Sequence, residues 1–289
     1  MKAGPTVTSI VELAGGRSLQ DAAGGEKASP NAEIWHSRID ALAEPGLVRR
    51  CHRLLAIDER HRVERFVREA DRRRALLARA MARTVLAGCV GADPKDLRFT
   101  YNAYGKPALA PEFGEGVHFN VSHSGAMVVC AVSREGEIGV DIEDRRRTVE
   151  FCELARNFFS AEEAAAVERA PEHLVRRRFY EIWTLKEAFV KARGRGLSIP
   201  LDSFAMSLSG KQEPAIRFIG TSETSPEEWG FAQRDWEEGF QLGLAVRLGR
   251  ANPLIVTTRP YSLPDEKFFL KVPVPCQPPS KRVKTGQQG

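Results

Sequence analysis

Three carboxylates and one lysine stand where they could share a divalent cation. Asp141 and Glu143 lie at i and i+2 in the segment Gly139-Val140-Asp141-Ile142-Glu143; some forty residues on, Glu187 and Lys191 lie at i and i+4 in Trp183-Thr184-Leu185-Lys186-Glu187-Ala188-Phe189-Val190-Lys191. The first spacing on a strand turns Asp141 and Glu143 to one side and Val140 and Ile142 into a core. The second puts Glu187 and Lys191 next to each other on one helix face. A hard cation takes oxygen ligands and completes its shell with water and phosphate oxygens, so such a set suits a phosphate-bearing substrate. Each block alone has a plainer explanation. A half-buried strand shows its polar face to water, and a Glu/Lys pair at this spacing is a surface ion pair contributing about 0.2–0.5 kcal/mol.

Other polar residues fit the same chemistry. Ser122-His123-Ser124-Gly125 reads as a turn between two apolar strands. Adjacent residues on a tight turn seldom orient as nucleophile and base, and no G-x-S-x-G context is present, so hydrolase chemistry is disfavoured. Hydroxyls, an imidazole and backbone N–H groups there are good donors to phosphate. Gly105-Lys106-Pro107 would hold one cation on a tight turn. Lys186 projects into an apolar helix sector made by Phe179, Ile182, Leu185, Phe189 and Val190, where an ammonium must snorkel or meet an anion. Ser160-Ala161-Glu162-Glu163 reads as a capping box, with Glu163 only a secondary functional candidate.

The elements that must position these residues mix helices and strands without strict βαβ alternation, which predicts an α+β fold. Strands are expected near 34–39, 97–101, 117–121, 127–132, the Asp141 segment, 204–209, 214–219, 230–236 and 241–247. Helices are expected over 58–89, 149–157, 161–169 and 172–192. Residues 1–30, rich in Gly, Ala and Ser, read as a loose arm, and 251–289 as a mobile Pro/Lys-rich tail. The sequence shows no clear internal repeat. Its 289 residues carry a net charge of +5, and twelve arginines fall between Arg49 and Arg83. Interleaved acids such as Asp58, Glu59, Glu69 and Asp71 can pair with them locally. Five scattered cysteines with no C-x-x-C pair argue against a zinc site or a disulfide framework and read as core residues. No signal-like or membrane-spanning run is evident, so a cytoplasmic protein with no membrane partner is expected.

Taken together, the two blocks resemble the Sfp-type 4'-phosphopantetheinyl transferases, which carry a G-[IV]-D-x-E strand, about forty residues, then W-x-x-K-E-[AS]-x-x-K. Tyr104-Gly105-Lys106-Pro107, Phe119-Asn120-Val121-Ser122-His123 and Phe158-Phe159-Ser160 add to the resemblance, which covers about 34–247. It implies two similar α+β halves related by a pseudo-twofold, here 31–136 and 137–250, with the active site in the cleft between them. It implies Mg²⁺-dependent transfer of the phosphopantetheine arm of coenzyme A to a serine of an apo acyl or peptidyl carrier protein, releasing adenosine 3',5'-bisphosphate; Mn²⁺ is an alternative metal. Asp141, Glu143 and Glu187 would hold the metal, the second half carrying that site. Arg62, Lys106, Ser122, His123, Lys186 and Lys191 would bind coenzyme A. Glu187, or a water on the metal, would be the base, and Lys191 would stabilise the leaving phosphate. Two halves on one chain favour a monomer. The carrier could belong to fatty acid, polyketide or nonribosomal peptide biosynthesis. The rival reading is a nucleic-acid-binding protein using the Arg49 to Arg83 stretch; it leaves the carboxylates idle, and no nucleic-acid partner is expected.

Overall fold

A computed structural model describes residues 11–12, 30–208, 213–236, 239–248 and 253–264. Most of the expected arm, the last residue of the strand expected at 204–209, Cys276 and the far end of the expected tail lie outside them. In chain order the elements are β1 (Val11–Glu12), β2 (Ala32–Arg38), α1 (Pro45–Leu54), α2 (Ile57–Glu64), α3 (Glu69–Val90), β3 (Phe99–Tyr101), β4 (Pro107–Leu109), β5 (His118–Ser124), β6 (Met127–Ser133) and β7 (Ile138–Asp144). Then follow α4 (Phe151–Phe158), α5 (Ala161–Glu168), α6 (Glu172–Arg193), β8 (Phe204–Ser207), β9 (Ala215–Phe218), β10 (Trp229–Trp236), β11 (Phe240–Arg247) and β12 (Val256–Pro260). Short 3-10 turns join several of them.

The helix expected over 58–89 is two helices, α2 and α3. Arg65 to Arg68 contain neither Pro nor Gly; the break is held by Arg72, whose guanidinium donates to the Phe66 carbonyl at 3.1 and 3.3 Å. The unexpected α1 opens on Pro45, where a missing N–H costs nothing. Ser122 to Ser124 complete strand β5 instead of forming a turn, and the reversal falls one residue later, at Gly125 (φ +53°).

Two sheets organise the molecule: one ordered β1-β12-β2-β6-β5, the other β10-β11-β7. The described part of the expected tail is therefore folded. β12 lies between β1 and β2, parallel to both, and Val256 and Thr258 are buried while the Thr84 and Tyr261 hydroxyls share a hydrogen bond of 2.9 Å. The sheets pack face to face through a core that includes Ile34, Val129, Ala131, Val140, Ile142, Leu242 and Leu244. Outside the first sheet, α3 packs through Leu76, Leu77 and Met81 onto the layer holding Val128, Cys130 and Val132. Outside the second, α6 packs through Leu185, Ala188 and Ala192 with Phe231 and Ala245. Each half is thus a sheet backed by one 22-residue helix closed by a left-handed glycine, Gly91 or Gly194. The α+β fold of two similar halves is what the sequence predicts. Among the described residues no helix is long and apolar enough to cross a membrane, and Cys51 and Cys130 are buried free thiols.

Gly139 and Gly243 decide how closely α6 lies on its sheet. They are neighbouring inner positions of β7 and β11, with Gly243 paired to Asp141. A Cβ on Gly139 would stand 2.0 Å from the Ala188 carbonyl oxygen, and one on Gly243 would stand 2.5 Å from the Thr184 backbone. Gly139 is required by this approach and not by a turn. Helix backbone and strand can touch only there, and the approach brings Glu187 and Lys191 down onto Asp141.

Candidate active site

Strands β5 and β7 are the facing edges of different sheets. Side chains join them where a backbone ladder would otherwise run. Asn120 Oδ1 accepts from Val140 N at 3.0 Å, Ser122 Oγ from Ile142 N at 3.3 Å and Ser124 Oγ from Asp144 N at 3.1 Å. The i, i+2, i+4 spacing of these acceptors matches that of the amides. Each serine also donates to a carboxylate: Ser122 to Asp141 Oδ1 at 3.0 Å, Ser124 to Glu143 Oε2 at 2.7 Å.

Lys191 closes the group from α6, donating to Asp141 Oδ1 at 2.6 Å and Ser122 Oγ at 3.0 Å. Asp141 is 3 % exposed, and its other oxygen, Oδ2, is buried without a hydrogen-bond partner. Burial and the Asp141 charge push the Glu143 carboxyl up to about 6, against the pull of Ser124, Lys191 and Arg147. The Glu187 carboxyl rises for the same two reasons, opposed by Lys191. The three sequence-predicted carboxylates therefore share one electrostatic site. Among the described residues, no three His, Cys, Asp or Glu side chains form a ready-made metal cage.

Beside this cluster lies a cavity of about 580 Å³ between α2, α3 and β5, lined in part by Arg62, Arg65, Arg79, Phe66, Phe119 and His123. Arg62 is held on Asp58 at 2.7 Å and on the Tyr101 hydroxyl at 3.2 Å, leaving it half exposed at the rim. His123 faces the cavity; burial first, then Arg74 and Lys191, lowers its pKa, so the imidazole is held toward neutrality. Arg79 was not singled out from the sequence because it sat within a run of paired arginines; its cavity position depends on the α2 to α3 break.

Three expected phosphate ligands are placed otherwise. Lys186 is fully buried, its ammonium 2.7 Å from Glu163 Oε2, donating to the carbonyls of Leu201 at 2.7 Å and Phe204 at 2.5 Å. The anion its apolar helix position demands is Glu163, which also accepts from Ser160 N, Ser160 Oγ and Met206 N. Lys106 donates to the carbonyls of Ala192 at 2.6 Å and Ile138 at 3.2 Å, a cation at the C-terminal end of α6 that ties the two halves. Asn102 supports it, donating to Gly194 O at 2.7 Å. Burial lowers the Lys106 pKa to about 8. The Ser122 hydroxyl spends its proton on Asp141 and accepts from Ile142 N and Lys191, so it has no donor left for a phosphate.

An acidic cluster on one half and an arginine-lined cavity on the other thus lie on either side of the seam. The comparisons with known proteins agree in both halves. Residues 137–245 match the model of the 4'-phosphopantetheinyl transferase superfamily, and residues 47–135 that of the 4'-phosphopantetheinyl transferase N-terminal domain. The chain is 37% identical over 177 residues to the 4'-phosphopantetheinyl transferase Sfp of Bacillus subtilis, covering 58% of this chain and 77% of that one. It is 36% identical over 162 residues to HetI of Nostoc (56% and 68%), and 32% over 229 residues to a phosphopantetheinyl transferase of Thraustochytrium (74% and 78%). The chain belongs to the Sfp-type 4'-phosphopantetheinyl transferase superfamily, a family of enzymes.

Proposed function

We propose that this enzyme moves the 4'-phosphopantetheine arm of coenzyme A onto a serine of an apo acyl or peptidyl carrier protein, with Mg²⁺ or Mn²⁺ as cofactor. The observation that carries the reading is the convergence of Asp141, Glu143 and Glu187 with Lys191 beside an arginine-lined cavity. The residues fit a metal. Asp141 Oδ2 is a buried acceptor without a donor, and two neighbouring carboxyls are raised by burial and by the Asp141 charge. Mg²⁺ needs only a few carboxylates, because water and phosphate oxygens fill the rest of its shell; a complete protein cage is not required. Asp141, Glu143 and Glu187 would hold it, and it would offset the charge of the coenzyme A pyrophosphate.

The chain's own groups supply the remainder. Arg62, Arg79 and His123 receive the adenosine phosphates in the cavity. The carrier serine Oγ attacks the pyrophosphate phosphorus that bears the pantetheine. A new O–P bond forms, and the bond to the other phosphate breaks, releasing adenosine 3',5'-bisphosphate. Glu187, raised toward neutral pH, takes the serine proton. Lys191 swings its ammonium from Asp141 toward the departing phosphate oxygen. Lys106 and Lys186 act on the fold, holding α6 in place. Half of the twelve arginines of the basic stretch, Arg62, Arg72, Arg73, Arg74, Arg79 and Arg83, lie against an acid, which supports the transferase over nucleic-acid binding. Incubating the enzyme with coenzyme A, Mg²⁺ and a panel of apo carriers should add one phosphopantetheine mass to a carrier. No gain on any of them, where another transferase modifies them, overturns the proposal.

A further inference from the structure

Ser124 follows the histidine in β5 and has no role in the function proposed above. We infer that it is a positioning residue that fixes the Glu143 carboxylate by tying it to the seam between the two sheets. The inference rests on the reading of Glu143 as a metal ligand.

A serine hydroxyl has one proton and two lone pairs. Ser124, 6 % exposed, gives its proton to Glu143 Oε2 at 2.7 Å and accepts the Asp144 amide at 3.1 Å. It therefore holds both a carboxylate and the amide of the next residue on the same strand. Ser122 does the same one rung earlier, with Asp141 Oδ1 and the Ile142 amide. The repeat at i and i+2 means that each carboxylate of the Asp141/Glu143 pair has its own serine on the opposite sheet. Glu143 has one more rotatable bond than Asp141, and no other hydrogen bond to its carboxylate is evident among the described residues. Its orientation thus depends on Ser124.

The reversal after Ser124 is built to keep the hydroxyl there. Gly125 adopts φ +53°, and a Cβ on it would stand 2.6 Å from Asp144 Oδ2. Arg74, held on Asp71, donates to the Gly125 carbonyl at 2.6 Å, so α3 pins the turn from the cavity side. Outer groups that orient metal ligands typically change affinity by about 10- to 100-fold when removed.

The test is a titration of the purified protein with Mn²⁺ alone, by calorimetry, beside thermal melts. Ser124→Ala should weaken Mn²⁺ binding by about tenfold or more, and Ser124→Thr, which keeps the hydroxyl, should recover most of it. Asn120→Ala removes a rung of the same ladder that touches no carboxylate. It should lower the melting temperature as Ser124→Ala does while leaving Mn²⁺ affinity unchanged. Glu143→Gln checks the underlying reading. If Glu143→Gln binds Mn²⁺ as the wild type does, the metal reading fails. If Glu143→Gln weakens binding but Ser124→Ala does not, or if Asn120→Ala weakens it equally, the positioning role is overturned.

Discussion

The two halves carry the same buried device and use it differently. On α2, Glu59 accepts from the Ala56 amide at the helix start and from Arg83 Nε at 2.6 Å; on α5, Glu163 accepts from the Ser160 amide and meets Lys186 Nζ at 2.7 Å. Arg83 and Lys186 stand at the same place along their 22-residue helices, counted from Glu69 and Glu172. Both cations also donate to carbonyls of the chain beyond the helix, Pro94 and Leu97 in one half, Leu201 and Phe204 in the other. The equivalence gives Lys186 its reason: it is the second copy of a structural cation. One residue on, the halves part. The residue after Arg83 is Thr84, bonded back to its own helix, whereas the residue after Lys186 is Glu187.

The difference follows from how close each helix lies. Val128, Cys130 and Val132 keep side chains between α3 and its strand, and a cavity remains between α2, α3 and β5. Gly139 and Gly243 let α6 touch its sheet. One half stands off and leaves an arginine-lined cavity; the other presses Glu143 and Glu187 toward Asp141. A duplicated scaffold acquires an asymmetric site by exchanging side chains at the helix-sheet contact.

The largest expected effect comes from making the second half resemble the first at its point of departure. Glu187→Gln should lower transfer by about 10²- to 10⁴-fold, with the melting temperature unchanged or raised, because a like charge beside Asp141 is removed. Carrier modification followed by mass spectrometry measures it, and near wild-type turnover would remove Glu187 from the chemistry. Breaking the shared device comes next. Lys186→Met leaves buried Glu163 without its cation, and Arg83→Met leaves buried Glu59 with only the longer Arg79 contact at 4.0 Å; each should cost about 3–5 kcal/mol in urea unfolding. A small loss for one and a large loss for the other would end the equivalence of the halves. Gly139→Ala should cost about 3 kcal/mol, since backbone and not a flexible side chain blocks the Cβ. Val128→Ala, in the strand layer under α3, removes volume without a clash and should leave the Glu187 site intact.

Much of this was written plainly in the sequence. β7 and α6 follow from alternation and from a 3.6-residue apolar repeat, and the pairing of Asp141 with Glu143 and of Glu187 with Lys191 places the acids. The seam was not legible, because Ser122 to Ser124 are polar and precede a glycine, the composition of a turn; they stay in a strand because their side chains satisfy another strand's amides. The break before α3 carries no Pro or Gly, so periodicity ran through it and hid the cavity. β12 was obscured by prolines around it, though Val256 and Thr258 alternate inward. The apolar sector around Lys186 is legible and so is its need for an anion, but the partner, Glu163, lies on another helix that no local spacing reveals.

The smallest effect is a pH dependence of opposite sense in the two halves. On α3, Arg73 holds the exposed Glu69 carboxyl below its ordinary range. In the second half, burial and Asp141 raise Glu143 from 4.5 to about 6, and Glu187 moves the same way. A carboxyl with a folded pKa above its unfolded value binds its proton more tightly in the folded protein. Its contribution to stability is therefore present below about 4.5 and is lost as pH rises through about 6, a change of about 2 kcal/mol for Glu143 at 1.36 kcal/mol per unit. The metal-free protein should lose melting temperature across that window, and Glu143→Gln should flatten the slope. Mg²⁺ or Mn²⁺ needs the ionised carboxylate, so its affinity should fall about tenfold per unit below about pH 6, and the stabilisation it brings should fade with that affinity. A metal-free melting profile flat from pH 4.5 to 6.5, or one whose slope survives Glu143→Gln, would show that the crowding of charge under α6 does not set the stability of this half.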